Sequence, residues 1–217
     1  MIYEEVTIII QLLYYICIAM IIGGNMRKKS HFSLSMYILD NVDSTILDEH
    51  RKAFIVGSIL PDCRPSFVTT KHNMDETFEL VKQSINRCTI DNEGYKHIST
   101  SYCRKLGEIT HYMADYFTYP HNAIFGGNIR EHCVYEKELK FALKDYINSG
   151  EVYVNIDLAK TFTTPQDLCE FVLATHEQYL KASKTVFEDC KYIVALCHLV
   201  VEGILNLLDI NRVGSAA

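Results

Sequence analysis

The chain of 217 residues is long enough for about one to one and a half domains, and its 48% hydrophobic and 22% charged residues are typical of a globular protein with a sizeable core. A formal net charge of -6 argues against a non-specific partner that presents phosphates, such as nucleic acid or an anionic lipid surface. The eight cysteines include no C-x-x-C pair, so a zinc ribbon or a thioredoxin motif has no support, and free thiols in a reducing compartment are favoured over disulfides in a secreted chain.

The N-terminal segment 6–22 is an uncharged apolar run at the short end of what spans a membrane. Two glutamates precede it, where a signal peptide carries basic residues. Three interpretations stay open for residues 1–25: an over-extended start ahead of a true initiator at Met26, a membrane anchor, or a packed core helix. The MRKK motif that follows would keep the domain of residues 26–217 on the cytoplasmic side of an anchor. We therefore expect a cytoplasmic protein, or alternatively one anchored through 6–22 and facing the cytoplasm.

Apolar residues that recur every three or four positions predict helices along the rest of the chain. Ser44 and Thr164 are predicted N-caps, and Pro120 and Gly150 are predicted to end helices. The segment VYVNI has a strand-like composition, but one strand makes no sheet, so the predicted fold class is all-α. The last apolar run is interrupted by charged residues and predicts a central bundle helix rather than a membrane span. The predicted helices are 31–42, 44–59, 75–87, 93–117, 129–149, 165–188 and 190–208.

Side chains that are costly to bury are concentrated in one apolar stretch of the sequence. His111 and Asp115 are four residues apart, which places them on one face of a helix, and His132 and Glu136 repeat this spacing on the next helix. Pro120 is predicted to turn His121 off the first helix toward the same place. Imidazole and carboxylate groups that converge from different helices are suited to zinc, so these five residues predict one metal site.

Three further residues are candidate ligands upstream of this stretch. Asp62 and His72 lie on predicted loops, and His31 opens the first amphipathic helix. A single histidine on an apolar face is usually a hydrogen-bonded core residue, so each of these positions has a purely structural interpretation when it is taken alone. The remaining histidines have no partner pattern and are interpreted as structural.

The spacing His-x3-Asp-x5-His followed by His-x3-Glu resembles the zinc-dependent phospholipase C family, which is related to the S1/P1-type nucleases. Here it reads HYMADYFTYPH from residue 111 and HCVYE from residue 132. The segment SHFSLSMYIL resembles the first-helix histidine segment of that family, and PD followed by KHN resembles its aspartate and next histidine. The resemblance covers nearly all of residues 26–145.

The resemblance implies an all-α multi-helix bundle of the phospholipase C and P1 nuclease type, with two or three zinc ions in a cleft. It implies one zinc on Asp62, His72, His111 and Asp115, a second on His121, His132 and Glu136, and a third on His31 and a bridging Asp115.

In secreted members of the family an N-terminal tryptophan completes the third site, and this sequence contains no tryptophan. A start at Met26 would place a free amine five residues before His31, the same offset as in the nucleases. Met26 is therefore a candidate ligand of the third zinc.

The resemblance also implies an enzyme, a zinc-dependent phosphoric diester hydrolase in which clustered zinc activates water and Asp62 acts as ligand, general base or both. The expected substrate is a phospholipid head group or a smaller soluble diester. The alternatives are a single-strand nuclease and a helical metal-binding protein without turnover. Glu136 as the last ligand and the short gap after His121 favour the phospholipase, and the acidic composition disfavours nucleic acid.

Overall fold

The computed structural model of the chain describes residues 27–64, 70–89, 100–150, 156, 160–182 and 184–215. These residues form eight α-helices and two short 3-10 turns, and no β-strand occurs among them. The turns are Leu60–Cys63 and Tyr119–His121. The predicted all-α fold class is confirmed. The helices are α1 (Arg27–Asn41), α2 (Thr45–Glu49), α3 (Arg51–Ile59), α4 (Met74–Thr89), α5 (Thr100–Tyr116), α6 (Ile129–Ser149), α7 (Pro165–Lys181) and α8 (Val186–Ser215).

Helix α5 lies at the centre of the bundle. Twelve of its 17 residues are buried, and a helix that is buried around most of its circumference must be covered by other elements on several sides. The covering helices are α1, α3, α4 and α8. Because α5 carries His111 and Asp115, this packing places both side chains inside the protein.

Helix α8 is the second core helix. The segment Val186–Asn211 is long and apolar enough to cross a membrane, but 72% of its most apolar window is buried inside the bundle. Its apolar side chains pack against α5 and α6 and the other helices around it. This position agrees with the bundle helix that the sequence predicted for 190–208.

Helices α3 and α5 approach each other closely enough for their backbones to touch. A Cβ atom at Gly57 would lie 2.0 Å from the carbonyl oxygen of Arg104, and one at Gly107 would lie 2.1 Å from the carbonyl oxygen of Phe54. Only glycine fits at such a contact. The approach brings the turn after α3, which contains Asp62, against the buried face of α5.

Most predicted helices are present, but one of them is interrupted and another ends earlier than predicted. The predicted helix 44–59 is interrupted at His50, where the break allows the Arg51 guanidinium to donate to the carbonyl oxygen of Leu39 at the end of α1. The predicted helix 165–188 ends at Lys181, and the Lys184 ammonium donates to the last carbonyl oxygens. The apolar spacing runs through both breaks, so periodicity alone does not reveal them.

The predicted caps are present. Ser44 accepts from the backbone N–H of Leu47, Thr164 accepts from that of Asp167, and Gly150 follows α6 with a positive φ of 67°. Helix α5 ends at Tyr116, and Pro120 lies in the 3-10 turn that follows. The leader 1–25, Met26 and most of the strand-like VYVNI segment lie outside the described residues.

Candidate metal centre

Eight of the nine predicted ligands come together in one buried region, and the ninth, Met26, lies outside the described residues. They arrive from six segments of the bundle. His31 comes from α1, Asp62 from the turn after α3, His72 from the coil before α4, His111 and Asp115 from α5, His121 from the turn after α5, and His132 and Glu136 from α6.

The first group of ligand-type atoms is formed by Asp62, His72, His111 and Asp115. Asp115 Oδ2 lies 3.1 Å from His72 Nδ1 and 3.3 Å from His111 Nε2. Asp62 Oδ1 lies 3.7 Å and 3.6 Å from the same two nitrogen atoms. A tetrahedral zinc with bonds of about 2.0–2.1 Å holds its ligand atoms about 3.3 Å apart. The four side chains therefore have the spacing of a zinc site with four protein ligands.

The second group is formed by His121, His132 and Glu136. Glu136 Oε1 lies 3.3 Å from His121 Nε2 and 2.8 Å from His132 Nε2. Three protein ligands leave one position of a tetrahedral zinc open, which is the arrangement of catalytic zinc sites.

Asp115 connects the two groups and also reaches His31. Its Oδ2 lies 3.6 Å from His121 Nδ1, and its Oδ1 lies 3.3 Å from His31 Nε2. The bridging position that the family resemblance implied for Asp115 is therefore compatible with the geometry. Among the described residues, His31 and Asp115 are placed so that both could contact a third ion.

Asp62 shows most directly that this region fits a cation. Both of its carboxylate oxygens are buried, and neither has a hydrogen-bond partner among the described residues. A buried carboxylate without hydrogen bonds costs several kcal/mol, on the order of what buried ions lose on leaving water. A zinc ion between Asp62 and its two neighbouring histidines would remove this cost, so the residues fit the metal.

Two of the histidines are oriented by backbone carbonyl groups. His111 Nδ1 lies 2.9 Å from the carbonyl oxygen of Ser58, and His121 Nδ1 lies 3.1 Å from that of His72. An Nδ1–H group that donates to a carbonyl leaves Nε2 unprotonated, which is the tautomer that binds a metal. His111 Nε2 faces Asp62 and Asp115, and His121 Nε2 faces Glu136, while His121 Nδ1 lies between the carbonyl oxygen of His72 and Asp115 Oδ2.

The charges of the site shift several pKa values in the absence of metal. Burial alone would lower the pKa of His111, but Asp115 and Asp62 outweigh burial and raise it to about 9. Burial and the neighbouring charge of His111 lower the pKa of His31, whose ring stacks on His111 with centroids 4.0 Å apart. Burial opposes ionisation of Asp115, but His121 and His111 lower the pKa of its carboxyl well below the usual value. Protons on histidine thus balance the buried carboxylates until a metal replaces them.

A cleft of about 650 Å³ opens beside the ligands. His72, His121 and His132 form part of its wall, together with Lys71, Glu76 and Phe125. The volume lies in the range of small-molecule sites in proteins. A substrate in this cleft would lie against side chains of both groups.

Some residues that hold the site together have little or no signal in the sequence. Ser58 acts through its backbone oxygen, so its side chain gives no indication of the role. Glu108 is buried on α5, and its Oε1 lies 2.6 Å from a guanidinium nitrogen of Arg64. This ion pair fastens the segment just after Asp62 to α5. Asp189 was overlooked because it lies beside Glu188 and near Lys191 in the first turn of α8, where an acidic residue is usually a solvated one, and yet it is buried.

A profile of the zinc-dependent phospholipase C family matches residues 30–186 of this chain. The chain belongs to that family. The match covers more than half of the sequence and includes all eight described ligand candidates. Comparisons with curated proteins and with solved structures gave no significant match.

Membership of the zinc-dependent phospholipase C family confirms the predicted relationship and the predicted cofactor. The metal is zinc, and the two groups of side chains with the bridging Asp115 are consistent with two or three ions. The family is one of hydrolases, and its name implies a phospholipid substrate.

Proposed function

We propose that the protein is a phosphodiesterase that hydrolyses a phospholipid head group or a smaller soluble diester. Water is added across the phosphorus–oxygen ester bond, which yields an alcohol and a phosphomonoester. The observation that carries the proposal is the buried Asp62 carboxylate, which accepts no hydrogen bond from the described residues and lies among histidines beside an open cleft. Such a group is costly to keep in a protein core, and bound zinc would offset that cost.

Each candidate ligand has a proposed place. Asp62, His72, His111 and Asp115 would hold one zinc, and His121, His132 and Glu136 would hold the second. Bound zinc supplies positive charge that stabilises phosphoryl oxygens and makes water more acidic. Asp62 is also the candidate general base, because an oxygen that is not occupied by a hydrogen bond can accept a proton. The cleft wall would orient the diester against both groups of candidate ligands.

A third zinc is proposed between His31 and Asp115, completed by the amine and carbonyl of Met26 in a chain that starts there. The 3.3 Å separation of His31 Nε2 and Asp115 Oδ1 supports this arrangement. Zinc counting should give three ions per chain when the protein begins at Met26 and two when extra residues precede it. Three ions in both forms would remove Met26 from the ligand set.

The charge of the cleft supports a phospholipase-like substrate over a nucleic-acid strand. Of the described residues that line it, Lys71 is the one lysine or arginine, and Asp75 and Glu76 are acidic. A single-strand nuclease needs a basic groove that follows the backbone and aromatic side chains on which bases stack. The proposed diester is therefore short and carries few phosphates.

A panel of substrates tests the proposed function. The zinc-loaded protein should release p-nitrophenol from p-nitrophenyl phosphocholine, and both a chelator and Asp62→Asn should abolish the release. Degradation of single-stranded DNA instead would favour the nuclease alternative. Bound zinc with neither activity would support a metal-binding protein without turnover.

We also propose a cytoplasmic location, with anchoring through residues 6–22 as the alternative. The seven described cysteines are all unpaired, as is usual in a reducing compartment. Cell fractionation of the full chain and of a chain beginning at Met26 distinguishes the two. Recovery of the full chain in the extracellular medium would contradict both.

A further inference from the structure

Asp189, in the first turn of α8, is a buried carboxylate that lies outside both metal-ligand groups. Its exposed fraction is 0%. Three groups donate hydrogen bonds to it, each at 2.8 Å: the backbone N–H of Tyr119 and the hydroxyls of Tyr135 and Tyr179. Despite these donors, burial raises the pKa of Asp189 to about 6.

Two of the three donors belong to the segments that carry the second group of ligands. Tyr119 begins the 3-10 turn that contains His121, and Tyr135 precedes Glu136 on α6. Both donate to the same oxygen, Oδ2. That single oxygen therefore joins the two segments on which the second zinc depends.

The third donor joins a different part of the fold. Tyr179 lies on α7, which carries no candidate ligand, and its hydroxyl donates to Oδ1. The hydroxyls of Tyr135 and Tyr179 thus make hydrogen bonds of equal length to one carboxylate. Tyr135 is adjacent in sequence to a candidate ligand, Glu136, whereas Tyr179 is not.

We infer that Asp189 is a positioning residue for the second metal group, holding His121 and Glu136 at the separation that one zinc requires. A buried carboxylate is usually no better for stability than a well-packed apolar side chain, so its role here lies in the geometry that it specifies. Hydrogen-bonded partners behind metal ligands typically change metal affinity by about 10-fold to 100-fold. Asp189 touches neither zinc nor substrate and acts through the backbone of Tyr119 and the hydroxyl of Tyr135.

The role of Asp189 rests on the proposed function, because it takes His121, His132 and Glu136 as ligands. Glu136→Gln tests that assignment separately. The variant should retain about one zinc fewer than the wild-type protein after dialysis, as measured by elemental analysis. If the zinc content does not change, the ligand assignment fails, and the inference about Asp189 fails with it.

Tyr135→Phe and Tyr179→Phe form the matched pair that tests Asp189 itself. Each variant removes one hydroxyl at 2.8 Å from the same carboxylate. The measurement is a competition titration of the full chain with a zinc chelator. Tyr135→Phe should weaken the binding of one zinc by about 10-fold or more and leave the affinity for the others unchanged. Tyr179→Phe should leave the affinity for every zinc unchanged, even if its unfolding temperature falls as much as that of Tyr135→Phe. Equal zinc affinities in the two variants would overturn the inference.

Substitution of Asp189 provides a second measurement. Asp189→Asn keeps an oxygen that can accept from Tyr119 and Tyr135, while its amide can donate to the Tyr179 hydroxyl. Asp189→Ala removes all three acceptor contacts. Zinc affinity at the second group should fall in Asp189→Ala. It should stay within about threefold of wild type in Asp189→Asn, well below the change of about 10-fold to 100-fold expected when such a partner is lost. Wild-type affinity in Asp189→Ala would contradict a positioning role.

Discussion

Asp115 is the residue that lies within reach of candidate ligands from both groups. Its Oδ2 lies within 3.6 Å of nitrogen atoms of His72, His111 and His121, and its Oδ1 lies 3.3 Å from His31. Four imidazole groups around one carboxylate would repel one another if all were protonated. Neutral imidazoles that share zinc ions with the carboxylate avoid this repulsion.

Asp115→Asn should remove at least one zinc and reduce phosphodiesterase activity by more than about 100-fold, since a direct ligand contributes more than the partners behind it. The amide is nearly the same size but is a weaker ligand without charge. Elemental analysis and turnover of a chromogenic diester measure the two effects. Asp145→Asn, at an exposed position on α6, is the control and should change neither. Full zinc content in Asp115→Asn would show that Asp115 is not a ligand.

The raised pKa of His111 predicts opposite pH dependences for the metal-free and the zinc-loaded protein. In the metal-free protein, the stabilisation from protonated His111 is complete below about pH 6.5 and is lost as the pH rises through about 9. Zinc binding needs the neutral imidazole, so zinc affinity should increase over the same interval. Chemical unfolding with chelator and zinc competition titrations at several pH values measure both. Zinc affinity that is constant from pH 6.5 to 9 would contradict the prediction.

At the scale of elements, the contact between α3 and α5 sets the position of the first ligand group. Asp62 follows α3 directly, and His111 and Asp115 lie one and two turns beyond Gly107 on α5. The glycines at the contact allow the two backbones to touch. Any side chain there would separate Asp62 from the histidines that it faces.

Gly107→Ala should lower the free energy of unfolding by about 3 kcal/mol, the upper part of the range for overpacked sites. Zinc affinity of the first group should fall as well, because the added Cβ must push α3 away from α5. Denaturant unfolding and chelator competition measure the two changes. Gly126→Ala, where an added Cβ meets nothing within 4 Å, is the control and should stay within about 0.5 kcal/mol of wild type. Unchanged stability in Gly107→Ala would mean that the helices can separate without cost.

Helices and ligand types were predictable from sequence, whereas the contacts between helices were not. The prediction 129–149 matches α6 residue for residue, and Gly150, the predicted end, follows its last residue, whereas the capping role of Asn128 was not predicted. The break at His50 leaves the apolar spacing intact, so it gave no signal. The contact at Gly57 and Gly107 could not be predicted from the sequence either. A glycine inside a helix can reflect several causes, and only the neighbouring helix shows which one applies.

At the scale of the whole molecule, the metal centre gathers side chains from most of the described bundle. The ligand candidates come from α1, α5 and α6 and from the segments next to α3, α4 and α5. A ligand that binds the folded chain and not the unfolded chain stabilises the folded state by mass action. Zinc therefore contributes to holding these elements together, in addition to its proposed chemical role.

Removal of zinc with a chelator should lower the thermal unfolding temperature by roughly 10 °C or more, because two sites saturated at 100 times their Kd contribute about 5 kcal/mol. Readdition of zinc should restore the temperature, and magnesium at the same concentration should not. Differential scanning calorimetry provides the measurement. An unfolding temperature that does not respond to the chelator would show that the core tolerates its buried acids without zinc.

The distribution of the candidate ligands along the chain has a consequence for folding. His31 belongs to α1 and Glu136 to α6, so most of the described helices must come together before all the candidate ligands can meet. Closing such long stretches of chain costs entropy that only later contacts repay. We therefore expect zinc to reach its full coordination late in folding, and refolding without zinc to pause at a state in which these helices are formed but loosely packed.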